Sequence, residues 1–446
     1  MLAAGLVPAQ DHPTNDQPDP GTPDPQDQTH DAPSLLTRDP SLMDTGGKPL
    51  DFSLFAKISA IYDSGLTPLF TPGQPAPFNS PSDSGVEASF GAAVSRRWRR
   101  AKLALSYEGA YRHYGSATFF NGLDQFFQLA YSRALQRHLT LDLKTTLGTT
   151  TLANGQFTYL PLSTLDRLGL PINDLFDNRT NYSESRADLT WQLSARLSIG
   201  IGGEGFIVRR QSLLLAGLNG YTAHANVAYR ITSRQTISAS YNHTYFDYQN
   251  AFGNSRLQIP TLGYSASLTR HWDLSTQAGV ARVQATGLTQ IALPPDITAI
   301  TGQTSAIVTF ASVTYLPVGE ARLIRTFQTS SLALDYSMGV TPGNGYYLTS
   351  RQTAAAINYS YISGRNWEAR GNLSFNQLSP LGQPFGKFRN FQGGAEVFYN
   401  LTRAAHLDVR YDYRHYATEN SILQKDSNRV SLGVAFSLGE TFRALR

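Results

Sequence analysis

Cysteine is absent from all 446 residues. That removes disulfide frameworks, thiolate metal sites and cysteine nucleophiles together, and it is compatible with an oxidising compartment. Methionine occurs only three times. No run of about 18 apolar residues occurs, so the chain encodes no transmembrane helix. A membrane protein is not thereby excluded, because a spanning β-strand needs only about 9–11 residues and is apolar on one face alone. Net charge is scarce too. The formal value is +4, too small for a chain that binds polyanions over its whole surface.

Motifs of catalysis are missing as well. No G-x-S-x-G nucleophile elbow occurs, and His113, His243, His271, His406 and His415 do not recur at metal-ligand spacing. The run Gly200-Ile-Gly-Gly-Glu-Gly205 spells G-x-G-x-x-G. A dinucleotide site needs that run between a strand and a helix, whereas both flanks here (RLSI and FIVR) read as strand. The expectation is a protein that is no enzyme and carries no cofactor or metal.

What is present is a β-rich palette. Tyr and Phe stand at 23 each, Gly at 37, and the hydrophobic fraction is 41%. The first ten residues, MLAAGLVPAQ, end in small residues of the cleavage-site kind. Residues 1–9 are read as the remnant of a secretory signal. Residues 10–50 are rich in Pro, Asp, Gln and Thr. They have too little to bury and are read as a disordered spacer.

From residue 51 to about 440 the texture is uniform, leaving 441–446 as a tail. Leu332, Leu334, Tyr336, Met338 and Val340 alternate with Ser331, Ala333, Asp335, Ser337 and Gly339. Trp367, Ala369, Leu373 and Phe375 alternate with Glu368, Arg370, Asn372 and Ser374. A period of two sustained over ten or more residues is a strand signal. The strands pair around a recurring short basic or polar turn, as in VSRRWRRAKLALSY and LIRTFQTSSLALDY, which makes an up-and-down hairpin the repeating unit. One set of connections is short. The other, near residues 64–84, 151–180, 288–305, 342–348, 379–387 and 419–427, is long and variable. Tight turns on one side and long loops on the other are the arrangement of outer-membrane barrels. Counting hairpins gives an all-β, up-and-down antiparallel barrel of about 18 strands, or about 16 if region 288–325 pairs differently. Loop 151–180 is long enough to fold inward.

The polar faces carry charge in mid-strand. Lys102, Glu108 and Arg112 lie on one segment, Asp142 and Lys144 on another. Glu368 and Arg370, then Glu396, then Asp408, Arg410, Asp412 and Arg414 follow near the end. A Lys or Arg facing lipid at the bilayer midplane would cost roughly 2–4 kcal/mol. These residues are therefore expected to line a wet lumen. The four tryptophans, Trp98, Trp191, Trp272 and Trp367, all lie in or near short turns, as expected of one aromatic girdle at a membrane interface. The basic cluster Arg96, Arg97, Arg99, Arg100 and Lys102 surrounds Trp98. It looks like a nucleic-acid patch, but the strand pattern that follows makes it a turn at the membrane surface, in reach of anionic headgroups. Near the end, Ser431, Gly433, Phe436 and Leu438 fit a polar-x-Gly-x-x-aromatic-x-apolar pattern, like the assembly signal of bacterial barrels.

Over about residues 50–440, in its hairpin repeats and terminal strand, the chain resembles the porin-like β-barrels of bacterial outer membranes. The resemblance implies a passive channel for small hydrophilic solutes, or alternatively a structural or export component for surface polysaccharide. It implies as partners the outer-membrane lipid and the barrel assembly machinery, with no nucleic acid. It also implies that the spacer and the C-terminus lie in the periplasm, where the spacer could meet a partner.

Overall fold

In a computed structural model of the chain, the structure describes residues 50–66, 82–116, 120–150, 179–212, 214–363, 366–382, 386–402, 404–419 and 424–438. The expected signal remnant, most of the spacer, most of loop 151–180 and the 441–446 tail lie outside these residues. Eighteen antiparallel strands close into one barrel. The first nine are β1 (Leu50–Ser64), β2 (Asp83–Trp98), β3 (Ala101–Tyr114), β4 (Gly122–Gln136), β5 (Leu139–Thr150), β6 (Thr180–Gln192), β7 (Leu197–Arg210), β8 (Gly217–Thr232) and β9 (Gln235–Gln249). The rest are β10 (Gly253–Ser267), β11 (Trp272–Ala292), β12 (Ser305–Thr326), β13 (Ser330–Thr341), β14 (Ser350–Ser363), β15 (Trp367–Pro380), β16 (Phe388–Asn400), β17 (Ala405–Thr418) and β18 (Gln424–Leu438). Each strand pairs with its neighbours in sequence, and β18 returns to β1 from Leu54↔Leu438 to Ser64↔Asn428. No sheet edge is left at the seam.

The alternation in sequence becomes inside and outside. Along β18, Val430, Leu432, Val434, Phe436 and Leu438 are exposed, while Ser427, Arg429, Ser431 and Ser437 are buried. The wall is one strand thick, so the buried side chains point into the barrel. The same parity runs through β1, where Ile58 is 67% exposed beside buried Ser59, and β10, where Leu262 is 68% exposed beside buried Thr261. An apolar exterior this continuous around a closed barrel is the belt of a membrane-spanning protein.

Eight connections of two to four residues stand at one end of the barrel, and nine stand at the other. Those nine are mostly longer, with 250–252 the short exception. Leu50 sits opposite Arg96 and Leu54 opposite Leu438, so both ends of the barrel wall lie at the short-turn end. Region 288–325 does not reduce the count to sixteen. β11 and β12 pair from Trp272↔Arg325 to Ala292↔Ser305, joined through a short helix α1 (Pro295–Thr301). β12 follows β13 only over Gly319–Thr326. The ladder stops short of Pro317, which has no N–H to donate. Beyond it β12 keeps its pairing with β11, which stays in the wall beside β10 as far as Gly287.

Candidate functional site

The interior is divided by chemistry. A charged sector runs across the seam. Arg112 on β3 donates from Nε to Glu87 Oε2 on β2 at 2.9 Å, and from Nη2 to the Asp124 carboxylate on β4. Arg429 on β18 donates from Nη2 to the same Glu87 oxygen at 2.9 Å. Its Nε lies 3.7 Å from Asp63 Oδ1 on β1. The Tyr114 hydroxyl donates to Asp63 Oδ2 at 2.5 Å. Lys57 on β1 donates to Asp408 Oδ1 on β17 at 2.8 Å. Glu108 and Lys102 share the face of Arg112 on β3, since residues two apart on a strand point the same way.

A second charged group covers β15 to β17. Arg370 donates from Nε (2.9 Å) and Nη2 (2.7 Å) to Glu368 Oε1. Arg410 holds Asp412 with two bonds, Nε to Oδ2 at 2.6 Å and Nη2 to Oδ1 at 2.9 Å. Glu396 sits between them in register, opposite Arg370 on one side and Arg410 on the other. Arg414 donates to Asn390 Oδ1 at 3.3 Å and lies 5.2 Å from the Tyr416 ring centroid. On β5, Asp142 is opposite Asp188 and Lys144 opposite Arg186. Arg186 donates from Nε to Asp188 Oδ2 at 2.6 Å, and His224 Nε2 lies 2.6 Å from Asp188 Oδ1. Charges of both signs thus alternate along the strands, and across them from β15 to β17, while like charges face each other between β5 and β6 and Arg186 is neutralised by Asp188 on its own strand.

The remaining sector, β7 to β12 toward the loop end, is mainly apolar, with Arg210 as a buried charge that donates to Ala216 O at 2.7 Å. Phe206, Val208, Leu218, Phe246, Tyr248, Leu257 and Val283 form one buried cluster there. The β13–β14 connection, residues 342–349, folds into the barrel against it. Gly345 O accepts the Ala216 N–H at 2.9 Å. The Tyr248 hydroxyl donates to Pro342 O at 3.0 Å and lies 2.9 Å from Thr349 Oγ1, which is 2.5 Å from Ser255 Oγ. On its other flank Tyr347 is fully buried with Leu215, Leu378, Phe388 and Tyr416. The loop therefore reaches from β8–β10 to β15–β17 inside the bore, while Arg112, Glu87 and Arg429 stand on the wall around the seam.

Two glycines shape that loop. Gly343 and Gly345 have φ of +83° and +87°, values that side-chain-bearing residues rarely adopt. Asn344 stands between them and accepts the Tyr347 N–H on Oδ1 at 2.8 Å. A Cβ on Gly345 would lie 2.8 Å from Arg210 Nε. Gly345→Ala is therefore expected to unseat the loop, at a cost of about 1–2 kcal/mol for the left-handed backbone. The check is limited proteolysis in detergent, where cleavage between residues 342 and 349 should accelerate in the variant.

Sequence reasoning placed inward folding on 151–180 and named 342–348 only as a connection. A signal was available: PGNGYYL carries no charge and two adjacent tyrosines, a poor composition for a loop in water.

The tryptophans all stand at the short-turn end, Trp98 closing β2, Trp191 near the end of β6, and Trp272 and Trp367 opening β11 and β15. Trp98, Trp191 and Trp367 are exposed on the exterior. In the closing strand, Ser431 is buried in the interior with Gly433, while Phe436 and Leu438 point outward.

No family model matches the chain, and no curated protein matches it. Solved structures do. The chain is similar to Pseudomonas aeruginosa OccK9 (OpdG) at 13% identity and a TM-score of 0.43, over 89% of this chain and 100% of that one. It is similar to Pseudomonas aeruginosa OccK2 (OpdF), solved in complex with glucuronate, at 12% identity and a TM-score of 0.45, over 88% and 98%. A BenF-like porin from Pseudomonas fluorescens Pf-5 aligns at 9% identity and a TM-score of 0.44, over 88% and 99%.

Proposed function

We propose that the chain is a passive, non-enzymatic channel for small hydrophilic solutes in a bacterial outer membrane. The observation that carries this reading is an 18-stranded wall whose inner face is charged and hydroxylated, with one connection, 342–349, folded into the bore. A barrel of this strand number leaves an aqueous path unless its own segments fill it. Lys102, Glu108, Arg112, Asp142, Lys144 and the charges of β15–β17 are assigned to that path. Their alternating signs set up a transverse field that orders water and dipolar solutes without a strong preference for either ion sign. Size selection falls to the narrowing made by 342–349.

The reading extends to orientation. The short turns, the N-terminal spacer of residues 10–50 and the C-terminus are assigned to the periplasm, with the spacer open to a periplasmic partner. Trp98, Trp191, Trp272 and Trp367 form the girdle at that interface. Ser431, Gly433, Phe436 and Leu438 serve as the signal to the barrel assembly machinery.

The test is conductance of the purified full chain in a planar bilayer. Stable, repeated steps that scale with bulk salt are expected. Inserted protein without steps would overturn the channel.

A further inference from the structure

The eight short turns hold eight arginines and not one Asp or Glu. The nine connections at the opposite end differ in sign, with Arg167, Arg179 and Lys387 against Asp166, Asp174, Asp177, Asp296 and Glu419. The molecule is thus polarised along its axis although its net charge is small. The placement is regular. Arg99, Arg137, Arg196, Arg234 and Arg270 are exposed in the first five turns, and Arg325 is exposed beside the sixth. Arg365 and Arg403 fall in the last two turns by sequence. Among the described residues within three positions of these turns, Asp273 is the one exposed carboxylate.

Each of the six exposed arginines has an exposed large apolar residue within three positions: Trp98, Leu135, Leu193, Ile231, Leu268 and Phe327 respectively. Direct contact occurs at two turns, made in the first by the neighbouring Arg96 and in the sixth by Arg325 itself. The Arg96 guanidinium is 5.1 Å from the Trp98 ring centroid. That of Arg325 is 4.9 Å from Trp272 and 4.3 Å from Phe327. The repeating unit is therefore a cation standing directly on the edge of the apolar belt. A soluble polyanion would use the cations and leave these apolar side chains wet. A lipid takes both, its acyl chains against the apolar residue and its phosphate against the guanidinium, whose planar fork matches phosphate oxygens in two parallel bonds.

We propose that the short-turn rim is a ring of binding sites for acidic phospholipid headgroups, which orders a shell of anionic lipid around one end of the barrel. This rests on the membrane-spanning reading and not on the channel being open.

The experiment uses the full chain in nanodiscs of phosphatidylcholine with phosphatidylglycerol, compared with a variant carrying R99Q, R137Q, R234Q and R270Q. Lipids that stay with the protein on gentle delipidation are quantified by mass spectrometry. Phosphatidylglycerol should be enriched several-fold over its bulk share with the wild type, and the enrichment should fall markedly in the variant, which keeps Arg100, Arg196, Arg325, Arg365 and Arg403. Both proteins should insert and give the same heat-resistant folded band on a gel. Equal enrichment in the two proteins, or none in either, overturns the proposal. In a second arm, inorganic phosphate and a short DNA oligonucleotide compete for the rim. Displacement of phosphatidylglycerol by either at equal phosphate concentration would also overturn it, because the site would then be one for soluble anions. Conductance in pure phosphatidylcholine reads the channel separately.

Discussion

Replacing Arg112 with methionine is expected to destabilise the folded barrel by about 3–5 kcal/mol, the usual cost of removing one partner from a buried ion network. The Arg112 side chain is 2% exposed and its partners Glu87 and Asp124 are 5% and 2% exposed. Glu87 would keep Arg429. Asp124 would lose its charge-assisted bond to Arg112, so most of the penalty falls there. The effect is more than a lost attraction, because the carboxylates remain and stay buried. A double variant, R112M with D124N, should recover part of the loss, since the neutral amide carries no such desolvation cost and Glu87 keeps Arg429. Urea unfolding of the detergent-folded protein, followed by heat-modifiable gel mobility, measures both. An R112M barrel that unfolds at the wild-type urea concentration would show that this network does not hold the seam together.

The network also marks where sequence stopped being informative. The period-two faces of β13, β15 and β18 are visible in the chain because a strand's alternation is local, and counting hairpins from it reaches eighteen. The run Gly200–Gly205 could be assigned to a strand on its flanks alone, and it lies within β7. Which charges meet is a different matter. Glu87 and Arg429 are far apart in the chain and become neighbours only because β18 closes on β1. Asp63, Glu87, Asp124 and Arg429 sit near strand ends beside the long connections, where alternation gives no warning that a charge will be buried. The 288–325 region was ambiguous for a related reason. Its two strands pair with each other beyond their other neighbours, and Pro317 ends the pairing on one side. Inward folding was the least legible feature. Tyr347 is buried by Phe388 and Tyr416, which belong to other strands, so nothing within 342–349 states its destination.

Excising residues 343–348 and joining 342 to 349 through a short glycine-serine turn is expected to raise single-channel conductance by roughly twofold or more, because current scales with the narrowest cross-section of a water-filled pore. The loop is a good candidate for that narrowing. It is bolted at both flanks, to Ala216 and Tyr248 on one side and to the Leu378, Phe388 and Tyr416 group on the other. It carries no charge of its own. Its removal would therefore widen the bore and leave the charged sector in place. That separates two quantities. Conductance and the size cut-off for neutral sugars in liposome swelling should both rise. The ratio of cation to anion permeability should stay close to the wild-type value, since the paired charges of β15–β17 and of the seam set it. The barrel wall should survive, because both β13 and β14 keep their full pairing without the loop. A loopless protein that folds and conducts with wild-type step size would place the narrowest point of the pore elsewhere. A large change in ion selectivity with little change in conductance would mean that the loop acts by positioning Arg210, against which Gly345 is packed, rather than by filling space.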